Sequence, residues 1–146
     1  MTYQDIIALL PYEQPFLFVD SLETVSEEGI SGSYSFSSSE YFYKGHFKNN
    51  PVTPGVILTE VMAQIGVVCF GIYLLKDSIS TDKEFQIALT SSAVDFYLPV
   101  YPNETVKVIS EKKYFRFNKL KCKVKMINTN NELICRGFIS GMIVNK

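Results

Sequence analysis

Cysteine is scarce in this chain, and the spacing of the few cysteines excludes several kinds of site. The 146 residues contain Cys69, Cys122 and Cys135, an odd number with no short spacing between them. This pattern excludes a disulfide framework and argues against a zinc site, because structural zinc sites draw paired thiolates from close positions. We interpret the three thiols as small core residues in a reducing compartment, and we expect no metal.

Signals for export or membrane insertion are also absent from the sequence pattern. Residues 1–5 lack the basic start of a signal peptide, which predicts a cytoplasmic protein. The longest uninterrupted apolar run, 65–75, is about half of the roughly 20 residues that cross a bilayer. Hydrophobic residues make up 47% of the chain, which excludes disorder, and no repeat or linker is visible. The length predicts one domain, 1–146.

Charge is distributed unevenly, although the net charge is only −1. Residues 1–75 include two basic and eight acidic residues, whereas residues 76–146 include twelve basic and seven acidic ones. This asymmetry indicates a basic face for an anionic partner. Neither a basic recognition helix nor an aromatic RNA-binding signature is visible, so we do not expect nucleic acid as that partner.

The longest apolar segment, residues 56–75, predicts a helix. Thr53 is suited to be its N-cap and Pro54 its first helical residue. Glu60 is the only charged residue of the segment, and apolar side chains occupy nearly all of its faces, as in a helix buried inside a protein. We therefore expect a sheet wrapped around this helix rather than a membrane span.

Strand patterns supply the residues for that sheet. Residues 16–20 predict the start of a first strand, and residues 29–36 predict its hairpin partner across a turn at 26–28. Further strands are predicted at 85–96, 104–117, 120–128 and 133–144. Residues 2–10 and 41–43 predict short helical segments. The predicted fold class is therefore α+β, with one long central helix and an antiparallel sheet.

Lysines occupy every second position of one predicted strand, from Lys119 to Lys125. A period of two sends these side chains to one face of the sheet and the apolar side chains between them to the other. The lysine face meets either solvent or a binding partner. The pattern leaves both interpretations open.

The loop at 45–56 is rich in Gly, Pro and Asn and holds the candidate chemistry. It contains His46, the only histidine of the chain, fourteen positions before Glu60. An imidazole exchanges protons near neutral pH, and burial in an apolar helix favours the protonated form of a carboxyl group. His46 and Glu60 are therefore the predicted catalytic acid–base pair.

Several motifs resemble those of the bacterial 3-hydroxyacyl-acyl-carrier-protein dehydratases. They are Leu-Leu-Pro at 9–11, Pro-Phe-Leu-Phe-Val-Asp at 15–20, Gly-His-Phe at 45–47, Pro-Val-x-Pro-Gly-Val at 51–56 and Glu-x-Met-Ala-Gln at 60–64. The resemblance implies a hot-dog fold, in which a curved antiparallel sheet wraps a long helix. It also implies a homodimer or a trimer of dimers, whose active sites take a histidine from one chain and an acid from the other.

The activity that this resemblance implies is dehydration of a (3R)-3-hydroxyacyl thioester on acyl carrier protein to the trans-2-enoyl thioester. The pathway would be fatty-acid or specialised acyl or polyene biosynthesis. Glutamate at position 60 resembles the branch of the family that only dehydrates. No cofactor is expected, since the phosphopantetheine arm of the carrier protein holds the substrate. The alternatives are a hot-dog thioesterase and a non-catalytic hot-dog subunit that binds acyl chains or completes a heteromer. A non-catalytic subunit would be expected to lose His46 or Glu60.

Each candidate site residue has an expected role in this dehydration. His46 would remove the α-proton and Glu60 would protonate the leaving hydroxyl. The resemblance implies that the carbonyl of Val52 orients the His46 ring. Gln64, one turn after Glu60, could hydrogen-bond that carboxyl or its water. The N–H of Gly55 would bind the thioester oxygen, because the first N–H groups of a helix have no internal partner.

Two stretches depart from the family pattern. Tyr97 and Leu98 stand where the family usually has basic residues before Pro-Val, and Tyr12-Glu13-Gln14 stands where a His-Arg pair is frequent. These changes remove positive charge and leave the predicted catalytic residues in place. We interpret them as retained chemistry with an altered partner or substrate, such as a specialised acyl or polyene product.

Overall fold

The computed structural model describes residues 1–78 and 85–145, and within these residues six strands form one antiparallel sheet. The strands are β1 (Ser21–Val25), β2 (Gly29–Ser35), β3 (Phe85–Phe96), β4 (Thr105–Arg116), β5 (Lys119–Ile127) and β6 (Leu133–Asn145). Their order in space is β1-β2-β4-β5-β6-β3, so β1 and β3 are the edges of the sheet. The predicted positions of β2 to β6 are confirmed to within one or two residues.

The helical segments lie before β1 and between β2 and β3. They are α1 (Tyr3–Ala8), a 3-10 helix (Tyr41–Lys44), α2 (Gly55–Ala63), a π-helical segment (Gln64–Cys69) and α3 (Phe70–Leu74). The last three are continuous, and we call them together the central helix, Gly55–Leu74. This confirms the predicted long helix, with a wider π-helical turn in its middle.

The sheet encloses the central helix. The length (20 residues) and mean hydropathy (1.9) of this helix would allow it to cross a membrane. However, 78% of its most apolar stretch is buried inside the protein. A Cβ atom added at Gly66 would lie 3.1 Å from the side chains of both Ser110 and Val124. The Ser110 hydroxyl also donates a hydrogen bond of 2.8 Å to the Gly66 carbonyl. Glycine thus lets the helix approach β4 and β5 closely, as expected of a core helix.

Two local predictions were wrong, and long-range partners explain both. The first strand begins at Ser21 and not at Phe16, because the Phe18 N–H donates to the side chain of Gln64 on the central helix instead of to a neighbouring strand. Thr53 does not cap the helix: its hydroxyl pairs with the Tyr43 hydroxyl at 2.7 Å. Pro54 takes the N-cap position with an extended ψ of 140°, and the first helical residue is Gly55.

The alternation in β5 is confirmed. Leu120, Cys122, Val124 and Met126 are fully buried against the helix, and the lysines between them point to the other face. At the other end of the chain, Thr2 and Asp5 form a reciprocal capping box at the start of α1, as the sequence predicts.

Candidate active site

Backbone groups of the loop before the central helix hold His46 in place. Its Nδ1 lies 2.9 Å from the carbonyl oxygen of Val52, and the Val52 N–H donates to the His46 carbonyl at 2.8 Å. Because a carbonyl oxygen only accepts, this contact assigns the proton of the neutral ring to Nδ1. Nε2 then keeps its lone pair, which is the form that a general base requires.

Glu60 lies half-buried on α2, and its surroundings favour the protonated carboxyl group. Burial raises the pKa of the Glu60 carboxyl above its usual value, and the hydrogen bond from Gln64 opposes this rise. That bond runs from Gln64 Nε2 to Glu60 Oε2 at 3.0 Å. The raised pKa keeps more of the acid form present than an exposed glutamate would have, which suits a proton donor.

Gln64 connects this carboxyl to the loop before β1. Its side chain is 0% exposed. Its Oε1 accepts a hydrogen bond of 2.8 Å from the Phe18 N–H, and its Nε2 donates to the Phe16 carbonyl at 3.0 Å as well as to Glu60. The two backbone partners fix which end of the amide is nitrogen, because a flipped amide would place oxygen against oxygen. Gln64 therefore presents a donor, and only a donor, to Glu60.

Gly55 begins the central helix beside a shallow cavity. Within residues 1–78 and 85–145, the N–H groups of Gly55 and Val56 donate to no acceptor, as is usual in the first turn of a helix. A Cβ atom added at Gly55 would lie 3.3 Å from the Phe96 ring. The cavity measures about 270 Å³ and is lined by Thr53, Gly55, Leu58, Phe96, Tyr97, Leu98 and Pro99. Because Gly55 is the first helical residue, the positive end of the helix dipole lies at this cavity and would favour a negatively charged oxygen there.

The two halves of the predicted pair are held separately. Across the described ranges of this chain, no hydrogen bond or ion pair joins His46 to Glu60. His46 belongs with Val52 in one group, and Glu60 belongs with Gln64 in another.

Tyr12 is not among the predicted site residues, but the structure places it near Glu60. Burial raises the pKa of Tyr12 to about 12, and the negative charge of Glu60 adds to the rise. Its ring packs against Phe16, with centroids 6.4 Å apart. Tyr12 lies on the same loop as the backbone groups that Gln64 holds. In the sequence, Tyr12 stands out only as a departure from the family pattern, and the aromatic residues between Pro11 and Val19 are the signal that could have placed it in the site.

An apolar helix enclosed by an antiparallel sheet defines a hot-dog protein. The loop imidazole of His46 and the helical carboxyl of Glu60 are its candidate acid–base pair. A family model described as FabA-like domain matches residues 10–137. A 3-hydroxyacyl-[acyl-carrier-protein] dehydratase FabZ of Petrotoga mobilis is 34% identical over 136 residues, which cover 92% of this chain and 91% of the relative. The FabZ of Roseiflexus sp. is 28% identical over 145 residues, covering 94% and 92%. The chain belongs to the FabA-like family and, within it, to the 3-hydroxyacyl-[acyl-carrier-protein] dehydratases.

Solved structures share the fold at much lower identity. The dehydratase heterocomplex ApeI:P from Xenorhabdus doucetiae aligns with a TM-score of 0.82 at 14% identity, covering 100% of this chain and 93% of the other. A mutant thioesterase PA1618 from Pseudomonas aeruginosa aligns with a TM-score of 0.69 at 10% identity, covering 100% and 96%. The two similarities establish the predicted hot-dog fold.

Proposed function

We propose that this chain removes water from a (3R)-3-hydroxyacyl thioester on acyl carrier protein and releases the trans-2-enoyl thioester. The observation that carries the proposal is the hydrogen bond from His46 Nδ1 to Val52, which leaves Nε2 free to act as a base. The raised pKa of Glu60 supports the complementary role of acid. The FabZ relatives are named for the same reaction.

The residues divide the reaction into two proton transfers. His46 Nε2 takes the α-proton, and the electron pair of that C–H bond moves toward the thioester carbonyl. The Gly55 N–H stabilises the resulting oxyanion, a contribution of roughly 3–4 kcal/mol for one donor in comparable sites. The electron pair then forms the Cα–Cβ double bond, and the β-hydroxyl leaves with the Glu60 proton as water. Transfer of the α-proton from His46 back to Glu60 restores the site.

Each active site combines His46 of one chain with Glu60 of another in a homodimer. The separation of the two residues into unconnected groups within one chain supports this arrangement. The edge strand β3 supports a dimer as well. Leu89 and Phe96 on its inner face stay 43% and 48% exposed in the single chain, so a second chain paired along this edge could cover them. Trimers of such dimers are the proposed higher assembly. A heteromer of two hot-dog chains is the second candidate, since the ApeI:P structure is a heterocomplex.

The remaining proposals concern the domain organisation, the cellular location, the cofactor requirement and the substrate. Residues 1–146 form one domain, the protein is cytoplasmic, and neither a metal nor an organic cofactor takes part. Three buried free thiols and a central helix enclosed by the sheet support the location. Tyr97 and Leu98, which line the cavity at Gly55 in place of basic residues, support a specialised acyl or polyene substrate.

Mass spectrometry of a panel of 3-hydroxyacyl-carrier proteins tests the reaction. The wild-type protein should convert at least one substrate to a product lighter by one water, and His46→Ala and Glu60→Gln should each lower the rate by about 10²-fold or more. Release of free carrier thiol instead of water would identify a thioesterase. A folded protein that does neither would favour the non-catalytic subunit.

Mixing the two inactive variants tests the shared site. A heterodimer of His46→Ala and Glu60→Gln chains has one site with both residues intact, so random exchange should restore about a quarter of the wild-type activity. If each site lay within one chain, the mixture would stay inactive.

A further inference from the structure

The side chain of Phe47 lies directly against the imidazole of His46. The two ring centres are 4.1 Å apart and the ring planes are inclined by 26°, so the rings are stacked. The other aromatic pairs of the described residues meet edge-on or tilted, as rings packed in a core usually do. Phe47 itself is 57% exposed, so burial of its own surface does not explain its position. The stack belongs to the site and not to the core.

Backbone contacts hold each of the two rings. The Phe47 N–H donates to the Asn50 carbonyl at 2.9 Å, and the Asn50 N–H donates back to the Phe47 carbonyl at 3.1 Å. Asn49 between them has a φ of 57°, in the left-handed region that asparagine tolerates. On the other side, the Val52 carbonyl holds the His46 ring. A closed turn and a ring contact therefore fix the stack from both ends.

The stack has an electrostatic consequence, because His46 becomes a cation whenever it takes a proton. In the part of the chain that the structure describes, no carboxylate forms an ion pair with His46. Its Nδ1 proton goes to a neutral carbonyl, and the exposed Lys44 and Lys48 on the same loop disfavour a second positive charge. The face of a phenyl ring is negative and attracts a cation within about 6 Å of its centre. Phe47 is thus a neighbour that favours the imidazolium.

We propose that Phe47 is a positioning residue for the base, whose ring stabilises the imidazolium of His46 and so speeds removal of the α-proton. This rests on the proposed function and adds a residue to its site. The charged imidazole gains more from the ring face than the neutral one does, so the stabilisation grows toward the transition state, as a rate effect requires. The lone pair of Nε2 lies in the plane of the imidazole, so a ring stacked on its face leaves it accessible.

Fluorinated phenylalanines at position 47 test the proposal, because fluorine withdraws electron density from the ring with little change in its shape. Rings with one, two and three fluorines should lower kcat stepwise, by about two- to threefold in total, with KM within about twofold. The substrate is the member of the 3-hydroxyacyl-carrier-protein panel that the wild-type protein converts fastest. Phe47→Leu should lose at least as much, and Phe47→Tyr should retain most of the rate. No charge changes in the series, so Lys44, Lys48 and Glu60 of the second chain act equally throughout.

Proton NMR of the imidazole gives a readout that needs no turnover. His46 is the only histidine of the chain, so its ring signals can be assigned without ambiguity. The pH at which half of the imidazole is protonated should fall by about half a pH unit across the series, which is about threefold in proton affinity. The matched control carries the same fluorinated residues at Phe117, which is 90% exposed in the turn after β4. The control should change neither kcat nor the NMR midpoint.

Three outcomes would overturn the proposal: an NMR midpoint that stays constant along the series, an equal change in the Phe117 control, or a loss in Phe47→Leu with no trend among the fluorinated rings. The last would mean that the ring acts through its shape alone. A midpoint that moves as expected in a protein that dehydrates no substrate would retain the support of the imidazolium and reject the dehydratase. Active wild-type protein with a constant midpoint would do the reverse.

Discussion

The loop around His46 and the helix around Glu60 hold their functional groups by different means. The His46 ring is held by the backbone carbonyl of Val52, which any residue at that position supplies. The Glu60 carboxyl is held by the side chain of Gln64, which no other residue type reproduces fully. The proposed base, His46, is therefore positioned by the backbone, whereas the position of the proposed acid, Glu60, depends on one side-chain amide.

The two halves also differ in what else they support. The Gln64 amide holds the Phe16 and Phe18 backbone as well as Glu60, so it stabilises both the site and the loop before β1. Among the residues that the structure describes, the Val52 carbonyl accepts only the ring proton of a half-buried histidine. Substitutions at the two positions should consequently have very different effects.

The largest effect is expected from Gln64→Met, which keeps the volume of the side chain but removes the amide. It leaves the Phe18 N–H and the Phe16 carbonyl without their partner in the interior, which should cost about 2–4 kcal/mol of unfolding free energy. Loss of the donor to Glu60 should also lower the dehydration rate. Urea denaturation and the mass-spectrometric assay measure the two effects.

Thr59→Val is the matched control on the same helix, because the Thr59 hydroxyl donates only to the Gly55 carbonyl of its own helix. It should change stability by less than about 1 kcal/mol. Equal losses of unfolding free energy in the two variants would mean that the hydrogen bonds of Gln64 contribute no more to stability than the Thr59 hydroxyl does.

A smaller effect is expected in the pH dependence of stability when Glu60 is changed to Gln. The folded state raises the pKa of Glu60, so between the unfolded and folded pKa values the folded protein binds more protons than the unfolded one. The free energy of unfolding should therefore fall as the pH rises between these two pKa values. The contribution of Glu60 should not change with pH below or above that range. Glu60→Gln removes this contribution, so its melting temperature relative to wild type should be higher at pH 8 than at pH 4. A pH-independent difference would contradict the raised pKa.

The smallest effect is expected from Val52→Ala, which keeps the carbonyl that holds His46. Activity should stay within about threefold of wild type, and the lost methyl groups of a half-buried valine should cost only about 1 kcal/mol of stability. Steady-state kinetics and thermal melting measure the two effects. A large loss of activity in a stable variant would show that the valine side chain, and not the backbone, orients the ring.

Local patterns predicted most of the fold, and long-range contacts explain what they missed. The central helix and the alternating lysine strand follow from periodicity within a short stretch of chain. The first strand starts at Ser21 instead of Phe16, because the side chain of Gln64, 46 positions beyond Phe18, accepts the Phe18 N–H. Thr53 fails as a cap because Tyr43 binds its hydroxyl.

The same distinction applies to the site. The contact of His46 with Val52 spans six residues, and that of Glu60 with Gln64 spans four, so both lie within the reach of a local motif. Tyr12 lies 48 positions before Glu60, and no sequence period connects them. Its place near the carboxyl depends on how the loop before β1 folds back onto the helix.

The amide of Gln64 also decides which oxygen of Glu60 is acidic. A carboxylic acid has one hydroxyl oxygen and one carbonyl oxygen, and the two are interchangeable until a neighbour distinguishes them. Oε2 accepts the Gln64 N–H, so it serves as the carbonyl oxygen, and the hydroxyl of the protonated acid is at Oε1. In the proposed dehydration, Gln64 would thus direct proton release from Glu60 to a single oxygen, Oε1.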